Sequence, residues 1–92
     1  MRDRTYTIGR LGEICLDGVT VSNRHAELQV LNNEIYLTDL NSTNGTYLLN
    51  GEQKIPFQEG YVQADQQVLF GHSLWKVSDL LAAVGEAAPK GG

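Results

Sequence analysis

The chain has 92 residues, a net charge of −4, 41% hydrophobic and 20% charged residues. That is one small domain around one core, too apolar to be disordered, and too acidic for general nucleic-acid binding, which needs surplus Lys and Arg against phosphate. No apolar run fits a membrane span, no signal-peptide pattern opens the chain, and the lone Cys15 excludes an intrachain disulfide or a cysteine-rich zinc site.

In chain order, the first strand is predicted at Thr5–Ile8 and breaks at Gly9. Ala26–Leu31 is the second, stopped by Asn32-Asn33. Glu34–Asp39 alternates, with Ile35 and Leu37 on one face. Thr46–Leu49 and Glu52–Ile55 flank Asn50-Gly51, a dipeptide suited to a tight hairpin with positive φ at both central residues. Gly60–Val62 reads as a short strand. Gln67–Phe70 and Leu74–Ser78 form a last hairpin around Gly71-His72-Ser73. Ser78 is positioned to cap a short helix over Asp79–Val84 that Gly85 ends, and Glu86–Gly92 reads as a flexible tail. Many short strands imply an all-β antiparallel sandwich or barrel. Leu28, Val30, Ile35, Leu37, Val68, Phe70, Trp75 and Val77 are the candidate core.

Charge is unevenly spread. Arg2, Arg4, Arg10 and Arg24 all fall in the first quarter, and the rest of the chain is acidic. A small anion can be held near those arginines although the whole molecule is negative. Three polar loops carry suitable donors. Arg10 offers a planar fork matched to phosphate, Ser22 a hydroxyl, and Asn23 and Asn44 amides that can pair with a peptide backbone. Such a set recognises and does not react. Ser22, His25 and Asp39 contain the residue types of a hydrolase triad, but no Gly-x-Ser-x-Gly elbow accompanies them. Cys15, His25 and His72 lack metal-ligand spacing, so no metal and no cofactor are expected. Cys15 reads as a small buried or half-buried residue, His72 as an exposed turn residue, and Arg2 and Arg4 as solvated strand-edge charges. Tyr6, Tyr36, Tyr47 and Tyr61 read as cross-strand packing.

Gly9-Arg10, Ser22-x-x-His25 and Asn44-Gly45, in that order, with the loop Asp39–Thr46 and a closing Phe70-Gly71, resemble the forkhead-associated (FHA) domain. The resemblance covers about residues 5–78. It implies an antiparallel β-sandwich of about ten to eleven short strands, spanning residues 1–78, with the short helix and tail in 79–92. Only Met1–Ile8 precede Gly9, so the family's first strand is shortened or missing, leaving an open sheet edge. Ala64-Asp65 stands where the family usually has Gly-Asp.

The resemblance also implies function: recognition of phosphothreonine peptides downstream of a Ser/Thr kinase. The chain would be a non-catalytic cytoplasmic module of a larger polypeptide, with neither nucleic acid nor membrane as partner. By position, Arg10 and Ser22 would contact the phosphate, and Asn23 would contribute mainly through its main chain. Arg24 would add positive charge, and Thr43 and Asn44 would hold the peptide backbone. Gly9, His25 and Gly45 would support the loops. The threonine γ-methyl is worth about 0.8 kcal/mol by burial, and its branching restricts the phosphate's orientation. Thr20, two positions before Ser22, is neutral and gives no reason to expect an acid at the ligand's third residue after the phosphothreonine. The rivals are a phosphate-independent interaction domain of the same fold and a Ser/His hydrolase.

Overall fold

The computed structural model describes residues 4–32 and 34–86. Nine strands and one helix form among these residues: β1 Arg4–Gly9, β2 Ile14–Cys15, β3 Ala26–Leu31, β4 Glu34–Asp39, β5 Thr46–Asn50, β6 Gln53–Pro56, β7 Glu59–Val62, β8 Gln67–Phe70, β9 Ser73–Lys76 and α1 Val77–Ala83. They build the expected sandwich, with nine strands among the described residues where about ten to eleven were expected, from a five-stranded sheet, β2-β1-β3-β4-β7, and a four-stranded sheet, β6-β5-β8-β9. Every pairing is antiparallel except β1 with the two-residue β2.

Alternation decides which side chains enter the core. Ala26, Leu28 and Val30 of β3 and Ile35 and Leu37 of β4 face inward, meeting Val68 and Phe70 from the second sheet. Trp75 is half-buried against this cluster, and Ile8, Ile14, Leu16 and Val21 complete it at the end that carries the loops. Outside, Tyr36 stacks edge-on against Tyr61 across the β4–β7 register. Lys54 lies over the Tyr47 ring.

Two local expectations shift. Asn50 pairs with Gln53, so the two-residue turn is Gly51-Glu52, and among its residues positive φ falls on Gly51 alone. A glycine in the first central position is the pattern of a II′ turn, which needs only one such residue. The helix begins at Val77, not after Ser78, and Ser78 does not cap it. Its first amides are satisfied from elsewhere: Val77 N–H donates to the Gln66 carbonyl and Ser78 N–H to that of Ala64. Val77, Leu80 and Leu81 are buried, so the helix packs into the sandwich.

The helix runs to Ala83, one residue short of the expected Val84, and Gly85 terminates it as expected. Gly85 N–H donates to Ala82 and Glu86 N–H to Leu81, a paired closure that the positive φ of Gly85 permits. Glu86 then folds back on β1. It accepts hydrogen bonds from Arg4 Nε, Arg4 Nη2 and the Tyr6 hydroxyl. Arg4 is therefore an ion-pair partner and not a free edge charge, and Glu86 belongs to the folded domain and not to a tail. The expected positions of Arg2 and of the remaining tail, 87–92, lie outside the described residues. No helix among the described residues is long and apolar enough to cross a membrane.

Candidate functional site

The loops that follow β1, β2 and β4 meet at one end of the sandwich, joined by the β8–β9 turn. Backbone bonds lace the first two together: Arg10 N–H donates to the Ser22 carbonyl and Leu11 N–H to that of Asn23, both at 3.1 Å. This lacing needs a residue without a side chain at position 9. A Cβ on Gly9 would strike the Asn23 carbonyl oxygen and stand 2.8 Å from that of Ser22.

His25 sits fully buried where the loops converge. Its Nδ1 accepts a hydrogen bond from Ser22 N–H at 3.1 Å, and its Nε2 lies 2.9 Å from the Gly45 carbonyl. Because Nδ1 accepts, the proton sits on Nε2, which donates to Gly45. His25 N–H donates to Ile8 and its carbonyl accepts from Leu40 N–H, while the ring meets Phe70 edge-on at 5.6 Å. Four segments are thus tied to one residue.

The third loop is organised by Asp39. One carboxylate oxygen accepts from the Ser42 hydroxyl at 2.6 Å and the Thr46 hydroxyl at 2.8 Å. The other accepts from the amides of Asn41 at 3.1 Å and Ser42 at 3.3 Å. Asp-x-x-Ser was the signal for this Asx-type turn, and sequence reasoning did not use it. Gly45, at φ +83°, closes the loop and presents its carbonyl to both His25 and the Gly71 amide.

Among the expected phosphopeptide-binding residues, five share this tip. Thr43 N–H donates to Ser22 Oγ at 3.1 Å, which leaves the Ser22 hydroxyl hydrogen available to a ligand. Asn44 Nδ2 donates to the Thr20 carbonyl at 2.9 Å, leaving its carbonyl oxygen exposed. Arg10 and Asn23 are exposed beside them. Among the described residues the ion pair formed is Arg4 with Glu86, so neither Arg10 nor Arg24 is neutralised by a carboxylate. Arg24, next to Asn23 in the chain, lines a groove of about 540 Å³ that is open to solvent, with Asp39, Leu40, Asn41 and Gln58.

Thr20 was missed as a structural part of the site. Its carbonyl holds Asn44, and its hydroxyl accepts from His72 N–H at 2.9 Å, which docks the β8–β9 turn. Cys15 is exposed, contrary to the expected burial, because the two-residue β2 turns it outward; its thiol donates to the Arg10 carbonyl at 3.4 Å. Ser22, His25 and Asp39 do not assemble a triad. Both His25 nitrogens serve backbone groups, the Ser22 hydroxyl accepts from Thr43, and Asp39 is committed to its own loop. Among the described residues no three His, Cys, Asp or Glu side chains gather as a metal site.

One tip of the sandwich thus carries an arginine, a serine hydroxyl and an asparagine amide on loops that a buried histidine ties together. Residues 6–71 match the FHA domain family, and the chain belongs to it. The crystal structure of the FhaA FHA domain complexed with the intracellular domain of Rv3910 is 34% identical with a TM-score of 0.69, over 80% of this chain and 79% of that one. A second FHA structure, from a study of phosphothreonine-dependent FHA domain interactions, is also 34% identical at a TM-score of 0.69, over 80% and 75%. The glycogen accumulation regulator GarA of Mycobacterium tuberculosis is 56% identical over 36 residues, 39% of this chain. That match spans 22% of GarA.

Proposed function

We propose that the domain binds phosphothreonine peptides and carries out no catalysis, as a regulatory module of a larger cytoplasmic protein in Ser/Thr kinase signalling. The observation that carries this reading is the convergence of Arg10, Ser22 and Asn44 from three separate loops, bonded to one another through Ser22 and Thr20. A phosphate dianion would take the Arg10 fork and the Ser22 hydroxyl, each a charge-assisted hydrogen bond worth about 1.5–3 kcal/mol. The Asn23 and Thr43 segments border the same point, and Asn44 offers its free carbonyl to a peptide N–H. Gly9, His25 and Gly45 hold the loops in register for that contact.

The phosphothreonine-dependent interactions studied in the 34% identical relative support the same chemistry here, as does the regulatory name of GarA. The test is an NMR titration of the labelled chain with a phosphothreonine peptide and its unphosphorylated twin. Shifts confined to the loops around residues 10, 22 and 44, and seen only with phosphate, are expected. Shifts of a sheet face by both peptides would favour the phosphate-independent reading.

A further inference from the structure

We infer that the groove beside Arg24 takes a second anionic group of the same ligand, a carboxylate or a further phosphate, at a subsite distinct from the phosphothreonine grip. The inference rests on the phosphothreonine reading and adds the chemistry of the flanking sequence. Its starting point is that Arg24 alone among the six expected binding residues lines this groove. None of Arg10, Ser22, Asn23, Thr43 and Asn44 lines it, and at about 540 Å³ and open to solvent it has room for a whole acidic side chain.

The walls favour an anion. Arg24 is exposed, and no carboxylate pairs with it among the described residues. Its guanidinium is a fixed cation with a planar fork of donors. Asn41 and Gln58 add exposed amide side chains, and half-buried Leu40 supplies an apolar wall. The negative wall is Asp39, but both its oxygens already accept two hydrogen bonds each from its own loop. Those donors offset part of its charge and hold it in its own loop, whereas Arg24 has all its donors to give.

The walls are also pre-set. Asp39 N–H donates to the Gln58 carbonyl at 2.7 Å, and Leu40 N–H to the His25 carbonyl at 2.9 Å. Asn41 is held at φ +63° by the turn. Because His25 also fixes the Ser22 amide, the groove and the phosphate hydroxyl share one rigid support. The backbones of Ser22 and Arg24 are at most about 7 Å apart. One extended peptide can therefore reach both, with its second acid within a few residues of the phosphothreonine.

The experiment measures affinity by fluorescence anisotropy for a phosphothreonine peptide with neutral flanks, its unphosphorylated twin, and two acidic series. One series places Asp at each flanking position in turn, and the other a second phosphothreonine. At least one acid-bearing peptide is expected to bind about three- to tenfold tighter than the neutral-flank phosphopeptide. Arg24→Gln should bring that ratio to about one, and Arg24→Lys should keep part of it. The series that shows the ratio tells carboxylate from phosphate. A wild-type ratio of one for every acidic peptide overturns the inference and leaves phosphothreonine recognition intact. A ratio that survives Arg24→Gln also overturns it, and an equal loss for both peptides then assigns Arg24 to the phosphothreonine itself. Equal binding of the phosphorylated and unphosphorylated neutral peptides removes both readings.

Discussion

The imidazole of His25 donates to the carbonyl of Gly45 across 2.9 Å, joining the loop before β3 to the loop before β5. The same ring accepts from Ser22 N–H, so one buried side chain pairs with a backbone group of each loop. His25→Ala opens a cavity and takes the acceptor from Ser22 N–H, while the Gly45 carbonyl keeps only the Gly71 amide. A loss of about 2–4 kcal/mol is expected, lowering Tm by roughly 10 °C or more in a domain of this size. Thermal unfolding followed by circular dichroism checks it, and an unchanged Tm would show that the ring does not brace the loops.

Ser22→Ala removes an acceptor from Thr43 N–H and a donor from the phosphate. Thr43 lies exposed, where water can replace the lost partner, so stability should fall by about 1 kcal/mol or less. Phosphopeptide affinity should fall by about tenfold, the value of one charge-assisted hydrogen bond. Calorimetric titration alongside thermal melting separates the two effects.

Asn44→Asp is nearly isosteric but exchanges the donor that holds the Thr20 carbonyl for a charged acceptor. Repulsion at Thr20 and from the phosphate should act together. Phosphopeptide affinity is expected to drop at least about tenfold, more than for Asn44→Ala. Equal affinities for the two variants would mean that the amide acts only as a space filler.

The clamp of Glu86 on β1 predicts a pH dependence far from the loops. Hydrogen bonds from Arg4 and then Tyr6 hold the Glu86 carboxyl at about 2, below its ordinary 4.5. Its hydrogen bond to Glu86 in turn pushes the Tyr6 phenol upward. A carboxyl depressed in the folded state contributes stability above its unfolded value and loses it as pH falls through the folded one. Glu86→Gln should therefore melt below wild type at neutral pH, with the gap closing as pH drops from about 4.5 towards 2. A gap that persists at pH 2 would trace the difference to packing instead.

The sandwich was legible in the sequence because alternation with one apolar face survives in single strands, as Glu34–Asp39 shows. The helix start was not. Val77 continues the apolar run of β9, and its cap comes from Gln66 and Ala64, ten or more residues away in sequence. The two-residue β2 was invisible as a strand, since two positions carry no alternation. In the site, the motif residues could be placed because each bears its own chemistry. Thr20 could not, since its carbonyl holds Asn44 and any residue type has one. The Glu86 latch pairs two ends of the chain, a relation that local spacing does not encode.

Calorimetric titration of the chain and of Arg10→Ala with a phosphothreonine peptide, its phosphoserine analogue and its unphosphorylated twin is the most direct test of recognition at the tip. Binding that requires the phosphate, prefers threonine and weakens at least about tenfold in Arg10→Ala at unchanged Tm is the expected result. Equal affinity for the phosphorylated and unphosphorylated peptides, or full affinity in Arg10→Ala, would contradict it.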